Sequence, residues 1–498
     1  RETVPPGYLV PVAYLWTRTV RCKNPSCGAT VPLVRQTWLC KKKDRYVALR
    51  MIAPKGKKQA RFEVVESRTE KGLGFDPAAF SKGGNATCPF CGTVADSGYV
   101  KTEGCAKRLG QQMMAIVCTR PKSQGKVYLS ADDLSAFIPD EEAIHRRLAA
   151  LLERSGLTVP NETIVTDAKN SCWTYLYGLS RFGDLYTPRQ QYCLLSFVHA
   201  VRDTVQEGTR ADLERSRVDA VVTCLAAIVD RLADFNSTGC TWNYTGGRGV
   251  LHAMARQAIP MTWDFAETNP FNPDAASWVS GVEDVPVALE IVGELTRPAI
   301  LHRSSAMQLP LDSESMDAVV TDPPYYDNVP YADISDYFYV WLKRTIGDRY
   351  AEHFATDGTP KKKEAVADAV RHDGDREKAR FAYEQMMSES FAEANRVLKV
   401  SGQMVVVYAH KTTLGWATLV DALRKAGFIV TEAWPMDTER SGRLRAMESA
   451  ALASSIFLVA RKREGAKTGS YEDEVRPELE KIVRERVDSL WKMGITGA

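Results

Sequence analysis

Apolar positions fall into three successive patterns along the chain. Up to about residue 130 they come in short alternating runs, such as WLCKKKDRYVALRMI (38–52) and ARFEVVES (60–67), broken by Gly, Pro and charge. Alternation with period two predicts short, half-buried strands joined by loops. From 135 to 260 the period lengthens to that of a helix. RQQYCLLSFVHAVRDTVQE (189–207) follows Thr187-Pro188, an N-cap with proline in the first turn, and VDAVVTCLAAIVDRLADF (218–235) is a second amphipathic run.

From about 285 strands and helices alternate. PVALEIVGELT, PAILHRSSA, MDAVVT, ESFAEANRVLK, GQMVVVYAH, LGWATLVDALRKAGF, IVTEAWPM and SSIFLVARK follow in turn. This predicts an α/β fold with a doubly wound sheet. Only a polar loop containing ERSGRLR separates the last two strands, so they should form an antiparallel pair. A class I methyltransferase Rossmann-like sheet ends in such a pair, whereas a dinucleotide-binding sheet does not. A last helical pattern begins near Pro477, with Leu479, Ile482, Val483, Val487 and Leu490 on one face.

The strand MDAVVT ends in Asp322-Pro323-Pro324-Tyr325. Ligands of open α/β sheets bind at the carboxyl ends of strands, so the tetrapeptide sits where chemistry is done. Its residue types suit methylation of an exocyclic amino group. Such a nitrogen is a poor nucleophile because its lone pair is conjugated into the ring. Asp322 can accept one amino hydrogen and the Pro323 carbonyl the other, which favours a pyramidal nitrogen with its lone pair aimed at a methyl donor. Tyr325 offers a face for a base flipped out of a duplex. The cofactor implied is S-adenosylmethionine. Tyr326, Asp327, Asn328 and Tyr331 follow closely and could line a base pocket. Tyr337, Phe338, Tyr339 and Trp341 read as helix core. The glycine-rich turn expected for the cofactor is not evident: Thr245-Gly246-Gly247-Arg248-Gly249 follows no buried strand and reads as a surface loop. Ser305 stands where an acidic cofactor contact is common, and Asp264 and Asn269 are further weak candidates. With Arg1 at the start and MGITGA at the end, the sheet is expected to be partial, its first strands upstream of residue 1 and the last helix cut short. An open strand edge is then expected beside MDAVVT.

Cys22-Lys-Asn-Pro-Ser-Cys27-Gly28 and Cys88-Pro-Phe-Cys91-Gly92 are two knuckles, each closed by glycine. Four thiolates suit a closed, structural zinc site, and the strands between the pairs would form a β-rich insert. Cys40, Cys105 and Cys118 lack this spacing. Eleven cysteines spread over 498 residues, several in apolar helical surroundings, fit a reducing cytoplasm rather than a disulfide scaffold. No apolar run reaches the ~20 residues of a membrane span, so no membrane partner is expected. The net charge of +3 conceals an asymmetry: residues 1–130 carry 23 Lys and Arg against 8 Asp and Glu, about +15, and the remainder is about −12. A basic block of this size points to phosphates, and double-stranded DNA is the expected partner.

These residues together resemble the large zinc-ribbon-containing adenine-specific DNA methylases, some of which lie in phage-defence gene clusters. The resemblance runs through AYLWTRTVRCKNPSCGA, WLCKKKDRYVAL, GDLYTPRQ, ARQAIPMTWDFAETNPF, TDPPYYDNVPYADISDYFYVWLKR and ALASSIFLVARKR. It implies adenine as the target base, phage-defence proteins as further partners, and a cofactor loop that precedes the ribbon. It assigns functional roles here only to Asp322, Pro323, Pro324, Tyr325 and the four knuckle cysteines. The expected organisation is a basic zinc ribbon at 1–130, a helical domain at 131–260, the later half of the catalytic core at 261–463 and a terminal helix at 464–498. An RNA or cytosine-amino methyltransferase of the same fold is the nearest alternative. A nucleic-acid-binding module without catalysis is the other. The segment Trp263–Phe271 is read either as a cap on the cofactor pocket or as a joint between the helical domain and the sheet.

Overall fold

The structure is a computed structural model. It describes the chain except residues 1–6, 82, 122–124, 133–137, 139, 166–171, 247–248, 273–275, 295–296, 327–328, 411, 437–454, 466–469 and 493–498. The chain divides into two compact units. The described residues up to Leu301, with Tyr326–Arg380, make the first. His302–Tyr325 and the described residues from Phe381 onward make the second.

The first unit opens with β1 (Val10–Arg21), β2 (Thr30–Pro32), β3 (Trp38–Lys42), β4 (Arg45–Ile52) and β5 (Arg61–Ser67). Then come β6 (Ala86–Thr87), β7 (Val94–Ala95), α1 (Ser97–Cys105), β8 (Gly110–Thr119) and β9 (Lys126–Ser130). Helices α2 (Glu141–Ser155), α3 (Pro188–Arg210) and α4 (Arg215–Phe235) follow, then β10 (Thr241–Trp242), β11 (Val250–Leu251), β12 (Asp264–Thr268), α5 (Trp278–Gly293) and α6 (Tyr331–Ile346). The alternation read in 1–130 is realised as strands, and β1 is the spine of a sheet ordered β12-β1-β8-β9, with β2 also paired to β1. Successive β1 side chains serve opposite faces, as a strand requires. Ala13 and Leu15 join the large core with the helices, while Trp16 packs with Met113, Ile116 and Phe265 on the other side. Strands β3, β4 and β5 form a separate antiparallel meander.

Helix α3 begins as its sequence predicts. The Thr187 hydroxyl accepts from the Gln190 amide and the Thr187 amide donates to the Gln190 side chain, a reciprocal box with Pro188 in the first turn. Its buried stripe Leu194, Leu195, Val198 and Val201 shares the large core with Val218, Val222, Ala226, Val229 and Leu232 of α4. Tyr337 and Trp341 of α6 enter the same core, their polar tips held by the Ala233 carbonyl at 2.7 Å and the Tyr186 hydroxyl at 3.0 Å. Tyr339 is also buried, in keeping with a packing role for this aromatic run.

The segment Trp263–Phe271 contains a strand of the first unit. Its strand β12 pairs antiparallel with β1, setting Phe265 opposite Trp16 and Thr268 opposite Ala13. Residues some 250 positions apart thus share one sheet. Thr245–Gly249 connects β10 to β11, a hairpin rather than a strand-to-helix cofactor turn, with Gly247 and Arg248 outside the described residues.

The second unit holds β13 (Met316–Thr321), α7 from Phe381 of its span Arg376–Val397, β14 (Leu398–Tyr408), α8 (Thr413–Lys425), β15 (Phe428–Met436), β16 (Ser455–Lys462) and a final helix, Arg476–Lys492. The sheet order is β13-β14-β16-β15. β13 runs parallel to β14, and β16 is inserted antiparallel between β14 and β15. The expected final antiparallel pair is therefore present, while ERSGRLR lies outside the described residues. β13 is at the sheet edge, and Val320 is 70% exposed. The open edge expected beside MDAVVT is thus seen among the described residues.

PAILHRSSA does not form the strand its pattern predicts. Residues 298–304 have no ladder partner among the described residues, and Ile300 and Leu301 are 83% and 90% exposed. A strand exists only by pairing, so apolar alternation alone leaves this stretch irregular. PVALEIVGELT begins within α5 instead. No helix of the described residues is long and apolar enough to cross a membrane.

Candidate functional site

The tetrapeptide leaves the carboxyl end of β13, beside the carboxyl end of its parallel neighbour. In register, Val320 pairs with Val405 and Thr321 with Val406, so Asp322 to Tyr325 emerge next to Tyr408 and His410. Asp322 is exposed and has no hydrogen-bond partner among the described residues. Pro323 is buried. The prolines supply no amide donor, so the turn presents carbonyls and one carboxylate.

Two contacts fix this turn. The Tyr383 hydroxyl donates to the Pro324 carbonyl at 2.8 Å. Tyr383 belongs to the apolar stripe of α7 with Met387, Phe391 and Ala394, all buried at helical spacing. The helix therefore delivers one polar atom to the tetrapeptide from an otherwise apolar face. The Tyr325 ring meets the Tyr408 ring edge-on, with centroids 5.1 Å apart. Tyr408 is fully buried, stacks on His410 at 6.1 Å and takes the Trp416 ring edge-on at 5.1 Å. Trp416 in turn donates to the His410 carbonyl at 3.0 Å. Sequence reading missed Tyr383, Tyr408, His410 and Trp416. Only the position of Tyr408 and His410 at the end of the next parallel strand could have flagged them.

The three sequence candidates for cofactor contact belong to different units. Ser305 is in the second unit, and its hydroxyl accepts from the Met307 amide at 3.2 Å. Asn269 and Asp264 are in the first unit. The Asn269 side chain donates to the Pro11 carbonyl at 2.8 Å and accepts from the Phe271 amide at 3.1 Å, anchoring the end of β12. Asp264 Oδ2 accepts from the amides of Arg35 and Gln36 at 2.8 and 3.4 Å, while its Oδ1 is buried without a hydrogen-bond partner. Both residues hold the loop and strand ends of their own sheet.

Burial pushes the Asp264 carboxyl up to about 7, against the pull of the Arg35 amide, Thr17 and the Gln36 amide. Its unfolded value is about 3.9. The folded chain therefore binds an extra proton between those two values, and its stability falls as pH rises from about 4 to about 7, then levels off. Asp264→Asn should abolish this slope, each unit of the shift being worth about 1.4 kcal/mol. Thermal unfolding of both proteins across that pH range measures it, and identical pH profiles would refute the assignment.

The knuckles converge. The Sγ atoms of Cys22, Cys27, Cys88 and Cys91 all lie within 4.8 Å of one another, with Cys22 to Cys91 at 3.5 Å and Cys27 to Cys88 at 3.9 Å. Zinc–sulfur bonds of ~2.3 Å in a tetrahedron put the sulfurs about 3.8 Å apart, so the set fits the metal. Gly28 and Gly92 both take positive φ, 60° and 74°, where a Cβ would be strained. The Cys27 and Gly92 amides close these turns on the Asn24 and Cys88 carbonyls at 3.1 and 2.9 Å. Val20, Ala29, Val31, Leu33, Ala86, Ala95 and Val100 pack round the cysteines as a small separate core.

No family model and no curated protein matches the chain. Among solved structures, a candidate DNA modification methylase from Thermus thermophilus is 17% identical over 34% of this chain and 57% of its own, with a TM-score of 0.18. The same protein complexed with S-adenosyl-L-methionine is 17% identical over 33% of this chain and 54% of its own, at 0.16. The 4+2 cyclase SpnF is 14% identical over 38% of this chain and 64% of its own, at 0.17. The chain thus spans between about half and two-thirds of the length of these structures. At such TM-scores the functional assignment rests on this chain's own residues.

Proposed function

We propose that the protein is an S-adenosylmethionine-dependent DNA methyltransferase acting on the exocyclic amino group of adenine, with one structural zinc held by Cys22, Cys27, Cys88 and Cys91. The observation that carries the enzymatic part is the exposed, unbonded Asp322 carboxylate in a donor-poor turn at the carboxyl end of β13. The antiparallel insertion of β16 supports a methyltransferase sheet.

Asp322 accepts one amino hydrogen and the Pro323 carbonyl the other, holding the nitrogen pyramidal. Acceptors preorganised in this way stabilise the transition state without reorganisation. Tyr325, steadied by Tyr408, is the face on which a flipped base stacks. The cofactor supplies the electrophilic methyl group when bound. Ser305, Asp264 and Asn269 are the candidate contacts for it. Transfer of labelled methyl to duplex DNA, but not to RNA of the same sequence, is the expected assay result. Labelling of RNA alone would refute the choice of polymer.

Tyr383 positions the Pro324 carbonyl and so the turn that carries Asp322. Tyr383→Phe removes one hydrogen bond without opening a cavity. A bond of this kind contributes about 1 kcal/mol, so kcat should fall roughly five- to tenfold with KM and melting temperature little changed. An unaltered kcat would show that the contact only packs α7.

A further inference from the structure

The face of the first knuckle carries a group of cations that the methyl-transfer site does not use. The Arg21 guanidinium, at the end of β1, donates to the Gly28 carbonyl at 2.9 Å. Lys58 Nζ donates to the Cys27 carbonyl at 2.7 Å. The Thr30 amide donates to the Lys58 carbonyl at 2.7 Å, and Thr30 bridges Gln59. The turn after β4, closed by the Lys57 amide on the Pro54 carbonyl at 3.1 Å, is thereby held against the chain leaving the knuckle. Arg21, Lys23, Lys55, Lys57 and Lys58 are all exposed there.

Among these five only Lys23 pairs with a carboxylate among the described residues, Asp96 at 2.6 Å. Repulsion between such neighbours is unfavourable unless an anion is met. The cysteine cluster is not that anion for Lys55 and Lys57. These two side chains stand on the exposed turn without a hydrogen bond or ion pair to it, or to any other partner among the described residues. The face is also poor in stacking surface. The rings packed round the cysteines, Phe90, Tyr99, Tyr177 and Trp263, are all part-buried, with Tyr99 beneath Lys23 at 5.9 Å, and the exposed large apolar residues in this region are Ile52 and Val94. Recognition of single strands relies on aromatic platforms, whereas a duplex backbone asks only for spaced cations.

We infer that this knuckle face binds the phosphate backbone of duplex DNA, with Lys55 and Lys57 as its outer contacts and Arg21 and Lys58 tying it to the metal site. The choice of DNA rests on the methyltransferase reading, while the phosphate contact itself does not. Binding positions the duplex without reading its sequence.

The test is fluorescence anisotropy of the zinc-loaded protein with a labelled random-sequence duplex, repeated over a series of salt concentrations. Each phosphate contact contributes ~0.9 to the slope of log affinity against log salt, so Lys55→Ala/Lys57→Ala should weaken binding and lower that slope by about 2. Zinc content and melting temperature should not change. Lys55→Arg/Lys57→Arg should retain the wild-type slope. Binding is measured without cofactor and without methyl transfer, so a failure of the catalytic assignment stays separate from a failure here. An unchanged slope in the alanine variant overturns the proposal, as does loss of zinc from it, which would make the lysines part of the metal site. Tighter binding to RNA of the same length, lost in the alanine variant, overturns the choice of DNA.

Discussion

Asp322→Ala should reduce methyl transfer by about 10²–10³-fold or more while leaving the protein folded. The magnitude follows from removing one preorganised acceptor at the reacting nitrogen. The intact fold follows from its setting. Asp322 is exposed, has no hydrogen-bond partner among the described residues and lies beyond the last ladder position of β13. Surface changes of this kind usually alter stability by less than about 0.5 kcal/mol. Steady-state rates with saturating cofactor, set beside thermal unfolding, separate the two effects. Wild-type turnover by the folded variant would remove Asp322 from the mechanism. A neighbouring change offers a control: Tyr325→Phe keeps the ring that meets Tyr408 and should retain most of the rate if stacking is what Tyr325 supplies.

Metal loss should have the second large effect, confined to the knuckle region. Seven small or medium apolar residues round the cysteines cannot replace a zinc ion, which contributes ~10–16 kcal/mol when it organises a small site. One zinc per chain is expected by elemental analysis. Cys88→Ser should lose it, because Cys88 is almost fully buried at 1% exposure and its sulfur lies 3.9 Å from that of Cys27. Chelation should then loosen the backbone round Arg21, Lys23 and Lys101 and speed its cleavage by trypsin, while cleavage in the large core of α3 and α4 stays slow. Absence of zinc, or equal protease resistance with and without it, would contradict the metal assignment.

What could be read in advance was local. Thr187-Pro188 announces a helix start because capping is settled within four residues, and the structure has that cap. The tetrapeptide after MDAVVT is legible because an apolar strand pattern and a donor-poor turn are adjacent in sequence. The paired cysteines are legible because metal geometry dictates their spacing. Long-range pairing was not. Nothing in DFAET says that it will lie against β1, since its alternation would suit any sheet edge. The apolar pattern of PAILHRSSA is equally strand-like, yet it finds no ladder among the described residues. Tyr383 was hidden for a different reason. It falls in register with Met387 and Phe391, so its ring reads as core, and only the tertiary structure shows its hydroxyl reaching Pro324. The partners of Asp264 and Asn269 were equally hidden, since they lie 229 and 258 positions away. Both are backbone groups of the first unit.

If Asp322 and its turn direct methyl transfer to adenine in DNA, the modified base must accumulate in cellular DNA. Nucleoside mass spectrometry of DNA from cells expressing the protein or its Asp322→Ala variant tests this most directly. N6-methyladenine is expected with the wild type, and none above background with the variant. Methylated cytosine in its place, or no methylated base in DNA from cells that contain folded wild-type protein, would contradict it.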